Sequence, residues 1–176
     1  TELGWIRRPS STKNEVGKDG SVSRFHIDEA GSRVNPGFEG ASKEIFLYGD
    51  SYAFARQVND DETWAHHLSN ALQKNIVNKG VGNYGIDQAL IRLEREPEAK
   101  QCRMHIMAVV PETIGRVHSV WKHYSEYGNT LAFKPRFYSV GDELNMISNL
   151  LNAEKKFEDI ASLGLAAREH VYFYSR

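Results

Sequence analysis

Cysteine is almost missing from this chain of 176 residues, with Cys102 standing alone. No intramolecular disulfide and no cysteine cluster for zinc can form. Beside an apolar strand, that one thiol reads as buried and inert. A dominant charge is lacking as well: 22 Lys and Arg face 23 Asp and Glu, for a net charge of −1. Without an overall basic field, sequence-independent nucleic-acid binding has no electrostatic footprint, and nucleic acid is not an expected partner. No apolar run approaches the ~18 residues that suggest a membrane-spanning helix, and no charged-then-apolar leader is visible. Repeats and low-complexity tracts are absent too.

What is present fits one main globular unit, since 40% of the residues are hydrophobic and the length is that of a single domain. Residues 1–40 are rich in Gly, Ser, Pro, Arg and Asn and read as an extended arm packed on the domain formed by residues 41–176. Within the arm, the alternation Ser21-Val22-Ser23-Arg24-Phe25-His26-Ile27 predicts a half-buried strand, part of one hairpin. Ile45 to Tyr48 predicts a short buried strand, Asn75 to Asn78 a second, and Met104 to Val110 a third, the last apolar enough to be covered on both faces.

Between the strands lie two helical stretches. Asp60 and Asp61 can cap the first, running to about Lys74 with Trp64, Leu68, Ala71 and Leu72 on one face. His66 and His67, adjacent on that helix, point about 100° apart and read as a solvated pair. The second runs from Ile86 to about Glu96 with Ile86, Ala89, Leu90 and Leu93 inward, and Pro97 ends it. The alternating order predicts a parallel, right-handed α/β sheet. Pro111 opens a further helix to about Tyr127, with Ile114, Val117, Val120, Trp121 and Tyr124 inward. Leu131 to Tyr138 and Leu144 to Ile147 flank Gly141-Asp142 as a hairpin, and residues 152–176 read as one or two helices.

The chemistry centres on Gly49-Asp50-Ser51, directly after the first of these buried strands. A serine presented at a strand's carboxyl end stands where ligands collect in open α/β sheets, which makes Ser51 a candidate nucleophile. A strand ending in a plain polar turn is the alternative. The block is followed by Val58-Asn59-Asp60-Asp61-Glu62-Thr63-Trp64 and then by Asn78-Lys79-Gly80-Val81-Gly82-Asn83-Tyr84-Gly85-Ile86-Asp87-Gln88.

Together these blocks, across about residues 43–138, resemble the SGNH (GDSL-type) hydrolase superfamily. Gly4-Trp5 with Pro9, and Asp28 to Arg33, resemble more loosely the lead-in of some bacterial members. The resemblance implies a three-layer α/β/α fold, Ser51 as nucleophile of an ester hydrolase, and an oxyanion hole from the backbone N–H groups of Ser51 and Asn83. It implies no metal and no cofactor. Asn83 stands where the family usually has glycine. The family's third block carries an asparagine that completes the oxyanion hole, whereas this chain reads Val110-Pro111-Glu112-Thr113. Thr113 is the better substitute there, because Glu112 would bring negative charge to an anion site. Asp50 is expected to cap the helix after the turn. Asp50, Tyr52, Tyr84, Glu112, Arg116, His118 and His123 are candidates for substrate contact, although His118 and His123 also read as surface residues of an amphipathic helix, as does His170.

Arg116, His118, Trp121, His123, Tyr124 and Tyr127, with Lys134-Pro135-Arg136-Phe137, form a cluster of aromatics and cations. It resembles a stretch in family members that act on polysaccharide or the cell envelope, and it reads equally as packing between hairpin and helix. The same subset points to a periplasmic or envelope setting and to a carbohydrate or other small ester as substrate.

The family's Asp-x-x-His block is missing. The residues three before the seven histidines are Ser23, Thr63, Trp64, Cys102, Gly115, Val120 and Ala167. Either the domain continues past Arg176 and carries its base there, which the count of only three sheet strands favours, or the chain has lost catalysis. A carbohydrate- or protein-binding module on the same fold, and a polysaccharide O-acetyltransferase, are the rival readings.

Overall fold

The computed structural model describes residues 2–117 and 133–149. The arm forms an antiparallel hairpin of β1 (Ser11–Val16) and β2 (Val22–Ile27), with Ser11 opposite Ile27. β2 alternates, burying Ser23, Phe25 and Ile27 while Val22 and Arg24 face solvent.

The centre is a parallel sheet of three strands, β3 (Ile45–Tyr48), β4 (Ile76–Asn78) and β5 (Met104–Met107), in the order β4-β3-β5. Ile45 pairs with Ile76 on one side and Met104 on the other. All four residues of β3 are buried, and their alternation divides the core. Ile45 and Leu47 pack with Ala53, Ala65 and Ile76, whereas Phe46 and Tyr48 pack with Val77, Ala89 and Ala99. The first group meets α1 (Ser51–Phe54) and α2 (Trp64–Leu72), and the second meets α3 (Ile86–Arg95). The α/β alternation predicted from the sequence is therefore present, and the hairpin around Gly141-Asp142 is β6 (Arg136–Val140) with β7 (Glu143–Ile147).

Several elements depart from expectation. Asp60 and Asp61 do not cap α2: Asp60–Glu62 is a separate 3-10 turn, and Thr63 caps α2 by accepting from His66 N at 3.0 Å. Asp60 instead turns inward to Arg33 and His26. The inward face of α2 carries Ala65, Leu68 and Ser69, while Trp64, Ala71 and Leu72 are exposed. Ser69 holds this face because its hydroxyl donates to Ala65 O and accepts from Ile76 N and Asn35 Nδ2. His66 is not solvated like His67; its Nδ1 lies 3.0 Å from Asn35 Oδ1. On α3, Ile86 is outside and Asp87, Gln88, Ile91 and Arg92 are inside.

β5 is not covered on both faces. Met104 is 53% and Val109 49% exposed. Cys102 is half-buried, with Sγ 3.4 Å from Met104 O. The helix α4 (Pro111–Val117) turns Ile114 outward. The positions Val120, Trp121, His123, Tyr124 and Tyr127, with His118, and the helices expected over 152–176, lie outside the described residues.

The end of β4 approaches α1 without clearance. A Cβ on Gly80 would fall 2.6 Å from Phe54 N and 3.0 Å from Ala53. Asn78 ties the two elements, its Nδ2 donating to Ala53 O at 2.8 Å while its Oδ1 accepts from Gly80 N at 2.9 Å.

Candidate functional site

Ser51 is the first residue of α1, at the carboxyl end of the central strand. Gly49 makes this exit possible: it has φ +150°, and a Cβ there would meet Ala108 O at 2.7 Å and Ala53 Cβ at 2.8 Å. Asp50 caps the turn, its Oδ1 accepting from Tyr52 N at 2.9 Å, and its Oδ2 pairs with Arg116 Nη1 at 2.9 Å. Arg116 also donates to Tyr84 O. One guanidinium thus joins the serine turn to the loop before α3. A buried carboxylate needs such a partner, since an unpaired one would cost several kcal/mol.

Below this turn, Arg33 fixes the far end of α1. Its side chain is buried, Nε pairs with Asp60 at 2.8 Å, and its Nη atoms donate to the carbonyls of Phe54, Ala55 and Val58. The first two of those carbonyls are acceptors a helix leaves open at its carboxyl end.

A cleft of ≈ 440 Å³ opens beside Ser51, and its walls include Tyr52, Arg56, Asn83, Glu112 and Arg116. Ser51 and Asn83, 32 positions apart in sequence, are thereby brought to one cavity. Asn83 has φ +65°, a left-handed conformation that Asn tolerates better than most residues other than Gly. Neither amide, of Ser51 or of Asn83, has a hydrogen-bond acceptor among the described residues. Among the described residues no side chain hydrogen-bonds the Ser51 hydroxyl.

The remaining sequence candidates divide. Tyr52 is exposed on the cleft wall, as is Glu112. Asp50 is buried, with its carboxylate shared between the turn and Arg116. Tyr84 is buried and donates its hydroxyl to Trp5 O at 2.6 Å, and burial pushes that phenol well above its ordinary range. Thr113 is buried too, and its one hydroxyl proton goes to Val110 O at 2.7 Å, which leaves no donor for an oxyanion. His118 and His123 are outside the described residues. Lys134, placed by sequence in an aromatic and cationic cluster, is buried against Asp87.

Comparison with protein-family models, with curated proteins and with solved structures finds no match. The residues themselves therefore carry the functional reading. Among the described residues, no group of His, Cys, Asp and Glu is arranged to hold a metal, and no helix is long and apolar enough to cross a membrane.

Sequence reading gave no side-chain role to Arg33, Asn78 or Arg56. Nothing in a local pattern distinguishes an arginine that will be buried from the many that stay in water. Trp5 did carry a signal, as a lone tryptophan in a polar arm: its Nε1 donates to Gly82 O at 2.9 Å, and its ring meets Tyr84 edge-on at 5.7 Å.

Proposed function

We propose that this protein is a serine ester hydrolase of the SGNH type, with a three-layer α/β/α fold, acting on an acyl or acetyl ester of a carbohydrate or other small alcohol. One observation carries the reading. Ser51, at the tip of the central strand, shares its cleft with Asn83, and both residues have backbone amides without an acceptor among the described residues.

In this mechanism Ser51 Oγ bonds to the ester carbonyl carbon and the carbonyl oxygen gains negative charge. The amides of Ser51 and Asn83 donate to that oxygen. The ester C–O bond then breaks, the alcohol departs with the serine proton, and water releases the acid from the acyl-serine. A histidine held by a carboxylate would relay the proton, as in other serine hydrolases. Such a histidine is not among the described residues of the cleft wall. That observation favours the second reading, a carbohydrate- or protein-binding module on the same fold. A polysaccharide O-acetyltransferase would share Ser51 and replace water by a sugar hydroxyl.

A fluorophosphonate probe with mass mapping, together with p-nitrophenyl acetate turnover, tests the proposal. The expected result is one adduct on Ser51 and turnover that both disappear in Ser51→Ala. No adduct and no turnover in the intact protein would leave the binding module; an acetyl group passed to an added oligosaccharide in preference to water would mark the transferase.

A further inference from the structure

Four arginines gather around α1 and its flanking loops, and they are not equivalent. Arg33 pairs with Asp60, Arg116 with Asp50, and Arg56 lies 3.8 Å from Glu15. Arg7, from the N-terminal arm, has no ion pair and no hydrogen bond among the described residues, and its Nε is buried with no partner there. Glu15 acts on it only through space. What Arg7 has is aromatic support: its guanidinium carbon lies 3.9 Å from the centroid of Phe54 and 5.6 Å from that of Phe25. Stacking of this kind fixes the plane of the group and uses none of its N–H donors.

The unpaired guanidinium reaches the loop beside Ser51. The point where a Cβ of Gly82 would be is 3.3 Å from Arg7 Nη2 and 4.0 Å from Ser51 Cβ. Gly82 therefore lies against both groups, and a side chain there would crowd the guanidinium. The arm is pinned to the same loop by Trp5 to Gly82 and Tyr84 to Trp5, and to α3 by Gln88 Nε2, which donates to Leu3 O at 2.7 Å. Arg7 is thus held in place, not swept in by chance.

We infer that Arg7 is an anion receptor beside Ser51, reading a carboxylate or phosphate on the substrate close to the reacting ester. Partial burial has already removed much of its water, and it draws the guanidinium down from its ordinary value to about 10. A desolvated cation with no counter-ion is costly to keep. An oxyanion with two oxygens would match the fork and repay that cost through bidentate, charge-assisted hydrogen bonds. The identity of the ligand as substrate rests on the reading of Ser51 given above. Anion binding itself needs no turnover, so the two can fail separately.

The test uses Ser51→Ala protein and three probes sharing one sugar ring: glucuronate, glucose 1-phosphate and glucose. The side-chain Nε–Hε resonance of Arg7 reports on contact, and calorimetry reports affinity. Expected is a shift of the Arg7 resonance with one or both anionic sugars and none with glucose, weakened by added salt. Which anion shifts it tells carboxylate from phosphate. Arg7→Gln should lower that affinity at least about tenfold, as loss of a charged bidentate contact implies, with Arg7→Lys in between. Failure of both anions to move the resonance would overturn the inference, and so would unchanged affinity in Arg7→Gln. If Arg7→Gln does not fold, the resonance in the Ser51→Ala protein decides alone.

Discussion

The two outer strands of the sheet teach opposite lessons about composition and burial. β4 reads Ile-Val-Asn and is buried throughout, whereas β5 reads Met-His-Ile-Met and is half-buried to exposed. The less apolar strand is the better covered. The difference lies in what the chain brings over each edge. Beyond β4 runs the arm, where Arg33 forms a bridge with Asn78 and its N–H donates to Asn78 O at 2.9 Å. No described strand pairs with the outer edge of β5. Burial is a property of the covering segment as much as of the strand.

Arg33 is the hardest point at which to press this contrast. Arg33→Ala leaves Asp60 buried without its main partner and the carbonyls of Phe54 and Val58 without a donor, and should destabilise the fold by about 3–5 kcal/mol. Urea unfolding followed by circular dichroism measures it; a loss below about 1 kcal/mol would mean the arm does not hold the β4 side. Next comes Asn78→Ala. Removing the side chain that joins β4 to α1 should cost about 2 kcal/mol and lower probe labelling of Ser51 as the serine turn loosens.

A buried charge pair at the start of α3 sharpens the comparison by changing pH. Burial, the main influence, pushes Asp87 up from its ordinary value and Lys134 down, against the attraction between them. Just above the ordinary Asp value the folded state holds more protons than the unfolded chain, so stability falls as pH rises through the raised Asp87 value. Just below the ordinary Lys value the unfolded chain holds more, so stability rises with pH there. An Asp87→Asn, Lys134→Met double variant should lose both slopes in urea midpoints taken across pH. Persistence of the slopes would assign them to other groups. The smallest effect belongs to β5: Met104→Ala should change stability by less than about 0.5 kcal/mol. A loss like that of Asn78→Ala would reveal a cover on that edge.

Much of this architecture was legible from residues. Ile45 to Tyr48 stood out as an apolar run cut by Gly49, α3 ends before Pro97, and Gly141-Asp142 turns its hairpin, because each is governed by its own few residues. Helix faces were less legible. α2 turns Ser69 inward because Asn35 and Ile76 supply partners, and α3 turns Arg92 inward because the carbonyls of Lys79 and Gly31 accept from it. Such partners lie up to 61 positions away, beyond any periodicity. At the cleft, Ser51 and Asn83 could be named from their blocks. Thr113 could not be judged, since only geometry reveals where its proton goes, and Arg7 offered no signal at all within a polar arm.

Gly80 has a consequence for how this protein can change. With 2.6 Å between its missing Cβ and Phe54 N, even a single methyl there would push against the helix whose first residue is the serine. The spacing of the whole cleft is gauged by an atom that is not present. Drift in the sequence can freely repaint the outer strand, but at position 80 it meets a stop.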